Sequence, residues 1–315
     1  MRISDKLLNC VGFIAHDTPQ VQYGATGFVV GIAAERGGGH YMHLVTAKHV
    51  AEKVEHGSFL LGMNLKSGSK IFLRMGEIKW WYHPLEPDSV DCAVTIFAPA
   101  SAEEYDTQFI GENVFATDQR IKKYGLGPGD EIAVIGLFTR FSGEEKHFPI
   151  VRTGNIAMMP TERIPIKGFG NMEAYLAEGR SIGGLSGSPV FARSTINLPM
   201  NVDEEQIMFS GLGQWHLIGL MHGHWELPLD FKSTEQAEAV NMGVSIITPA
   251  KKILEVLYHP ELVQMRKEYD EKRMEAKYAK ADSTLGEAEE KPTKPFTKED
   301  FETALKKAAR KIPKS

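Results

Sequence analysis

Gly184-Leu185-Ser186-Gly187-Ser188-Pro189, running into Val190-Phe191-Ala192, sets a serine between glycines just ahead of a β-prone run. A hydroxyl that attacks a carbonyl needs open approach, and the oxyanion it creates needs backbone N–H donors nearby. Flanking glycines remove the side chains that would block either. Working outward, Leu44-Val45-Thr46-Ala47-Lys48-His49-Val50 brings a histidine to the end of an apolar run. Val90-Asp91-Cys92-Ala93-Val94 sets an acid at the mouth of another. The chain order is His, Asp, Ser. An α/β-hydrolase runs Ser, acid, His and carries Gly-x-Ser-x-Gly, whereas position 188 here is serine, so the order and the motif both argue against that fold.

Each residue alone has a plainer reading. Gly-x-Ser-Gly in a chain with 30 glycines is also an ordinary β-turn, a histidine after a strand also packs at a helix start, and Asp91 also ends a strand, with Asp88 a nearby competitor. Order and spacing in a β context favour a triad: 42 residues separate His49 from Asp91 and 95 separate Asp91 from Ser186. A chymotrypsin-type triad spaces its members by about 45 and about 93.

These residues resemble the trypsin-like (chymotrypsin-fold) serine peptidases. Thr46-Ala47-Lys48-His49 is similar to the family's Thr-Ala-x-His, Asp91-Cys92-Ala93-Val94 to its Asp-x-Ala-Val strand, and Gly184 to Pro189 to its Gly-x-Ser-Gly-x-Pro. Gly129-Asp130-Glu131 to Gly136 resembles a turn and strand of the high-temperature-requirement branch, although no PDZ-like module follows. The matches span roughly residues 8 to 258. The resemblance implies an all-β fold of two packed six-stranded β-barrels with a C-terminal helical extension. It implies His49 as base, Asp91 as its orienter and Ser186 as nucleophile, with the Gly184 and Ser186 amides as oxyanion hole. A polypeptide substrate follows, and neither a metal nor a cofactor is expected.

Two departures bear on regulation and specificity. Leu185 stands where animal members carry an acid that pairs with a newly cut amino terminus, and leucine cannot make that ion pair. Ser188 resembles bacterial members with Ser-Gly-Ser-Pro and removes no catalytic atom. Arg180, six residues before the serine, is a candidate for choosing an acidic substrate side chain, or else points to solvent or pairs with Glu178. Met221, His222 and Gly223 are candidate substrate-pocket residues on a strand that resembles the one pairing with substrate backbone. His216, His222 and His224 raise a metal site, since His222 and His224 would share one strand face, yet no third ligand stands at characteristic spacing to that pair, which favours ordinary histidines. Trp80-Trp81-Tyr82-His83 reads as core and edge packing.

Composition narrows the alternatives. A chain of 315 residues, 42% apolar, can bury a large core, and its net charge of −5 argues against nucleic-acid binding, which needs a basic face. Two cysteines, Cys10 and Cys92, exclude a disulfide framework and suit a reducing compartment. Met1 to Asp17 lacks a clear leader pattern and no run approaches bilayer length, so the expectation is cytoplasmic with no membrane partner.

Strand-like runs punctuated by turn residues fill the first 250 positions, giving an expected peptidase domain over 1–258. Within it fall barrel one at about 8–115, barrel two at about 124–248, and a closing helix at 249–258 with apolar Ile253, Leu254, Val256 and Leu257. Pro260 interrupts that helix, and residues 259–282 form a charged helical extension. A linker at 283–296 and a short amphipathic helix at 297–312 follow, the latter either a frayed tail or a docking element for a protein partner. The rival to an enzyme is a catalytically inactive trypsin-like module that binds peptides or partners.

Overall fold

The computed structural model describes residues 3–36, 38–99, 102–179, 183–194, 199–202, 205–208, 213–227 and 240–286. Arg180 and the expected 297–312 helix lie outside the described residues. The chain divides into two compact units, Met1–Arg266 and Lys267–Ser315, and every strand belongs to the first.

In the amino-terminal half a short helix α1 (Asp5–Leu8) leads into β1 (Val11–His16), β2 (Gln22–Ala33) and β3 (His40–Thr46). Helix α2 (Lys48–Val54), β4 (Phe59–Asn64), β5 (Lys70–Met75), β6 (Ala93–Ile96) and β7 (Ile110–Gly111) complete it. The sheet order is β5-β4-β1-β2-β3-β6, with β7 parallel to β2. After helix α3 (Asp118–Tyr124), the second half adds β8 (Glu131–Gly136), β9 (Ile150–Met158), β10 (Arg163–Ile166), β11 (Gly170–Glu173) and β12 (Tyr175–Glu178). Strands β13 (Pro189–Arg193), β14 (Pro199–Val202), β15 (Glu205–Met208), β16 (His216–Leu227) and β17 (Val240–Pro249) follow. β12-β17-β16-β13-β8-β9 closes into a six-stranded barrel, while β10-β11 and β14-β15 are separate two-stranded sheets.

Of the two closed barrels expected from the sequence, one forms. The first half is an open sheet of seven strands whose ends are β5 and β6. The chain between them, Trp80-Trp81-Tyr82-His83-Pro84-Leu85-Glu86-Pro87, covers the edge of β6 through a single bridge, Trp81 to Val94. Two prolines in that segment lack the amide donors a continuous ladder needs.

The two halves share a core, and the strand period shows how. In β8, Ala133 and Ile135 face a cluster with Phe28, Leu44 and Val45 of the first sheet, whereas Ile132 and Val134 fill the barrel with Val190 and Ile218. Successive side chains point to opposite faces, and both faces are covered, which is why the strand reads as an unbroken apolar run. Phe191 of β13 takes the first-sheet side as Val190 and Ala192 take the barrel side. Helix α4 (Ala250–Leu257) lays Ile253, Val256 and Leu257 into the shared cluster, and α5 (Pro260–Gly286) follows it. Trp80 stacks on Phe59 with ring centres 6.1 Å apart, a packing role. Among the described residues no helix is long and apolar enough to cross a membrane.

Candidate active site

His49 is the second residue of α2, the helix that begins as β3 ends at Thr46. The first amides of a helix have no partner inside it. Ala47 offers no side-chain cap, and the missing acceptor comes instead from Asp91, 42 residues along the chain: His49 N donates to Oδ1 at 3.0 Å. His49 Nδ1 meets the other oxygen, Oδ2, at 2.8 Å. One carboxylate therefore fixes both the backbone and the ring of the same residue. An ionised carboxylate can only accept, so Nδ1 carries the proton and Nε2 keeps the lone pair a base needs.

Asp91 is completely buried. Burial opposes its charge, but hydrogen bonds from His222 and His49, with the electrostatic attraction of the same two N–H groups, outweigh it and hold the carboxyl far below its ordinary value. The neighbouring Cys92 thiol is pushed well above its ordinary value, first by burial and then by the Asp91 charge, so it stays neutral. Asp88, the competing acid, is fully exposed.

Ser186 lies on the turn between β12 and β13, held by glycine geometry. Gly184 has φ +96° and Gly187 φ +80°, conformations that residues with a Cβ rarely adopt. A Cβ on Gly187 would sit 2.2 Å from the Thr26 carbonyl oxygen. Thr26 of β2 stitches this turn to the first sheet: its N–H donates to Ser186 O at 3.0 Å, its hydroxyl donates to Gly184 O at 2.8 Å and accepts from Leu137 N at 2.9 Å. From the barrel side, Gly187 N donates to Met221 O and Met221 N to Ser188 O, both at 2.8 Å. Gly183 O accepts from Thr139 Oγ1 at 3.4 Å, so the planar peptide sends the Gly184 N–H the opposite way.

Ser186 and half-buried His49 line one cavity of about 110 Å³ with His16, Ala25 and Lys53. The serine hydroxyl is not on His49. It donates to the backbone carbonyl of His222 at 3.2 Å.

The chain is structurally similar to solved proteases. The protease domain of MamO from Magnetospirillum magneticum, in its apo form, aligns with TM-score 0.49 and 12% identity, covering 79% of this chain and 96% of that one. Deg5 aligns with TM-score 0.44 and 16% identity, covering 79% and 88%. No family profile and no curated protein matches the chain.

The structure bonds His49 to Asp91 and sets Ser186, on the turn that carries Gly184, along the same cavity as His49, while residues 221–223 take other places than the expected pocket. Met221 is buried and serves as a brace for the serine turn. His222, read as a pocket residue, turns its ring onto Asp91, with Nδ1 2.5 Å from Oδ2. Gly223 pairs with Ile246. Thr26 belongs to no motif; the one signal the sequence carries for it is a hydroxyl in an apolar strand between Gly24 and Gly27.

The three histidines considered as a metal set do not gather. His216 stacks on Tyr124 at 4.4 Å, and burial, then the charge of Arg120, lowers its pKa. His49, Asp91 and His222 do bring three donor atoms within 4.8 Å of one another. A tetrahedral zinc with bonds of about 2.0–2.1 Å spreads its ligands to roughly 3.3 Å. Separations of 2.8 and 2.5 Å are hydrogen-bond contacts. A second group, His83, Glu86 and Glu255, is already served by Lys252, which reaches Glu86 at 2.7 Å and Glu255 at 3.0 Å.

Proposed function

We propose that the chain is a serine endopeptidase in which Ser186 attacks the peptide carbonyl and an acyl-enzyme forms. The observation that carries this reading is the double hold of Asp91 on His49, beside a serine lining the same cavity. His49 Nε2 takes the Ser186 proton during attack and returns it to the leaving amine, while Asp91 keeps the tautomer and stabilises the transient imidazolium. The Gly184 and Ser186 amides receive the oxyanion, each donor contributing about 3 kcal/mol. The substrate is a polypeptide. Gly223 borders its approach, with Arg180 as the candidate selector of an acidic side chain. The site of action is the cytoplasm, and residues 297–312 are a docking element for a protein partner.

A second reading, a peptide-binding module without turnover, is favoured by one observation: the serine hydroxyl is committed to the His222 carbonyl. Hydrolysis of a mixed peptide library by wild type and Ser186→Ala separates the two. Cleavage by wild type that vanishes in the variant supports the enzyme; equal, absent cleavage with retained peptide binding supports the module.

A further inference from the structure

Asp91 belongs to the first sheet's side of the cleft and Ser186 to the barrel's, and one residue touches both. His222 lies where the pairing of β16 with β17 slips: Met221 faces Ile247 and Gly223 faces Ile246, leaving His222 without a partner. Such a bulge re-aims a side chain and frees its backbone from the ladder. The freed carbonyl accepts the Ser186 hydroxyl at 3.2 Å, and the ring reaches Asp91 Oδ2 at 2.5 Å. Phe169 meets that ring edge-on at 5.0 Å and limits its rotation. A continuous path therefore runs from the nucleophile through His222 and Asp91 to the base.

We propose that His222 is a positioning residue of this site, a second imidazole on Asp91 that sets the distance between the serine turn and His49. The inference rests on the peptidase reading. Asp91 is buried beyond reach of water, so the charge on Oδ2 depends on donors, and His222 is one of two. Its ring also pins the wall that carries Ser186 to the wall that carries His49, a bond made entirely by side chain. During attack the hydroxyl moves from the His222 carbonyl to His49 Nε2, and the His222 ring stays on the carboxylate.

The test compares His222→Ala with His222→Asn, whose amide nitrogen can donate from close to the Nδ1 position. The expected result is a kcat reduced by about 10- to 100-fold in the alanine variant, the loss of one charge-assisted bond, with KM nearly unchanged and activity largely restored by asparagine. Proton NMR supplies a readout that needs no turnover: wild type should show two far-downfield imidazole N–H resonances, and His222→Asn one. Full kcat in His222→Ala, or an asparagine variant no better than alanine, overturns the positioning role. A single downfield resonance in wild type that persists in His222→Asn overturns the contact itself. Should wild type hydrolyse nothing while showing both resonances, the peptidase reading fails and the His222 role as a positioner of catalysis fails with it, though the contact stands.

Discussion

The two walls of the cleft are built to different rules. On the first-sheet side, His49 is held through its backbone and its ring by a carboxylate with no exposed surface. On the barrel side, Ser186 rides a turn of two left-handed glycines, and its hydroxyl rests on a carbonyl instead of the base. His49 is fixed at both backbone and ring, whereas Ser186 is braced through its backbone while its hydroxyl rests away from the imidazole. On the proposed peptidase reading, any reorganisation falls to the serine and spares the histidine, whose displacement would cost a buried ion its partners.

Unlocking the base wall should have the largest effect. Asp91→Asn can present its amide nitrogen to His49, reversing the tautomer, and kcat should fall by about 10⁴-fold with the fold intact by circular dichroism. Next comes the nucleophile wall. Gly187→Ala pushes a methyl against the Thr26 carbonyl at a positive φ, and urea unfolding should show a loss of at least about 3 kcal/mol. A milder break is Thr26→Val, which keeps the shape but leaves Gly184 O and Leu137 N without the hydroxyl. We expect about 1–3 kcal/mol of stability lost, together with slower acylation, since the turn carrying Ser186 loosens while His49 does not.

A further effect, a pH dependence, acts away from both walls and appears only on acidification. His147, boxed by Phe13 and Phe72 with ring centres 5.2 Å away, is lowered to about 4 by burial and then by the charge of Lys70. His43 is lowered to about 4 by burial and then by Arg266. The unfolded chain, with histidines near 6.5, binds more protons than the folded one between those values. Stability is therefore full above about pH 6.5 and declines as pH falls toward 4. Melting temperatures across that range should drop, and His147→Phe should flatten the slope; an unchanged slope would assign the acid sensitivity elsewhere.

The residues of the candidate site are more legible in the sequence than the closure of the first half. His49, Asp91 and Ser186 announce themselves because each ends or precedes an apolar run, and Gly184 and Gly187 because only glycine tolerates their backbone. Closure of the first half was not legible, since it depends on whether two distant edges meet, and Pro84 and Pro87 keep the intervening chain from bridging them. His222 was misread for a related reason. Strand alternation gave it a face shared with His224, but the bulge shifts the register and turns it onto Asp91. Thr26 acts on Gly184 across 158 residues, a partnership that local pattern does not encode.

Whether the serine rotates onto a waiting base is answered most directly by intact mass and peptide mapping after treatment with a fluorophosphonate. A single adduct on Ser186 is expected, formed far more slowly in Asp91→Asn and not at all in Ser186→Ala. An unmodified wild-type protein, or an adduct on another residue, would contradict it.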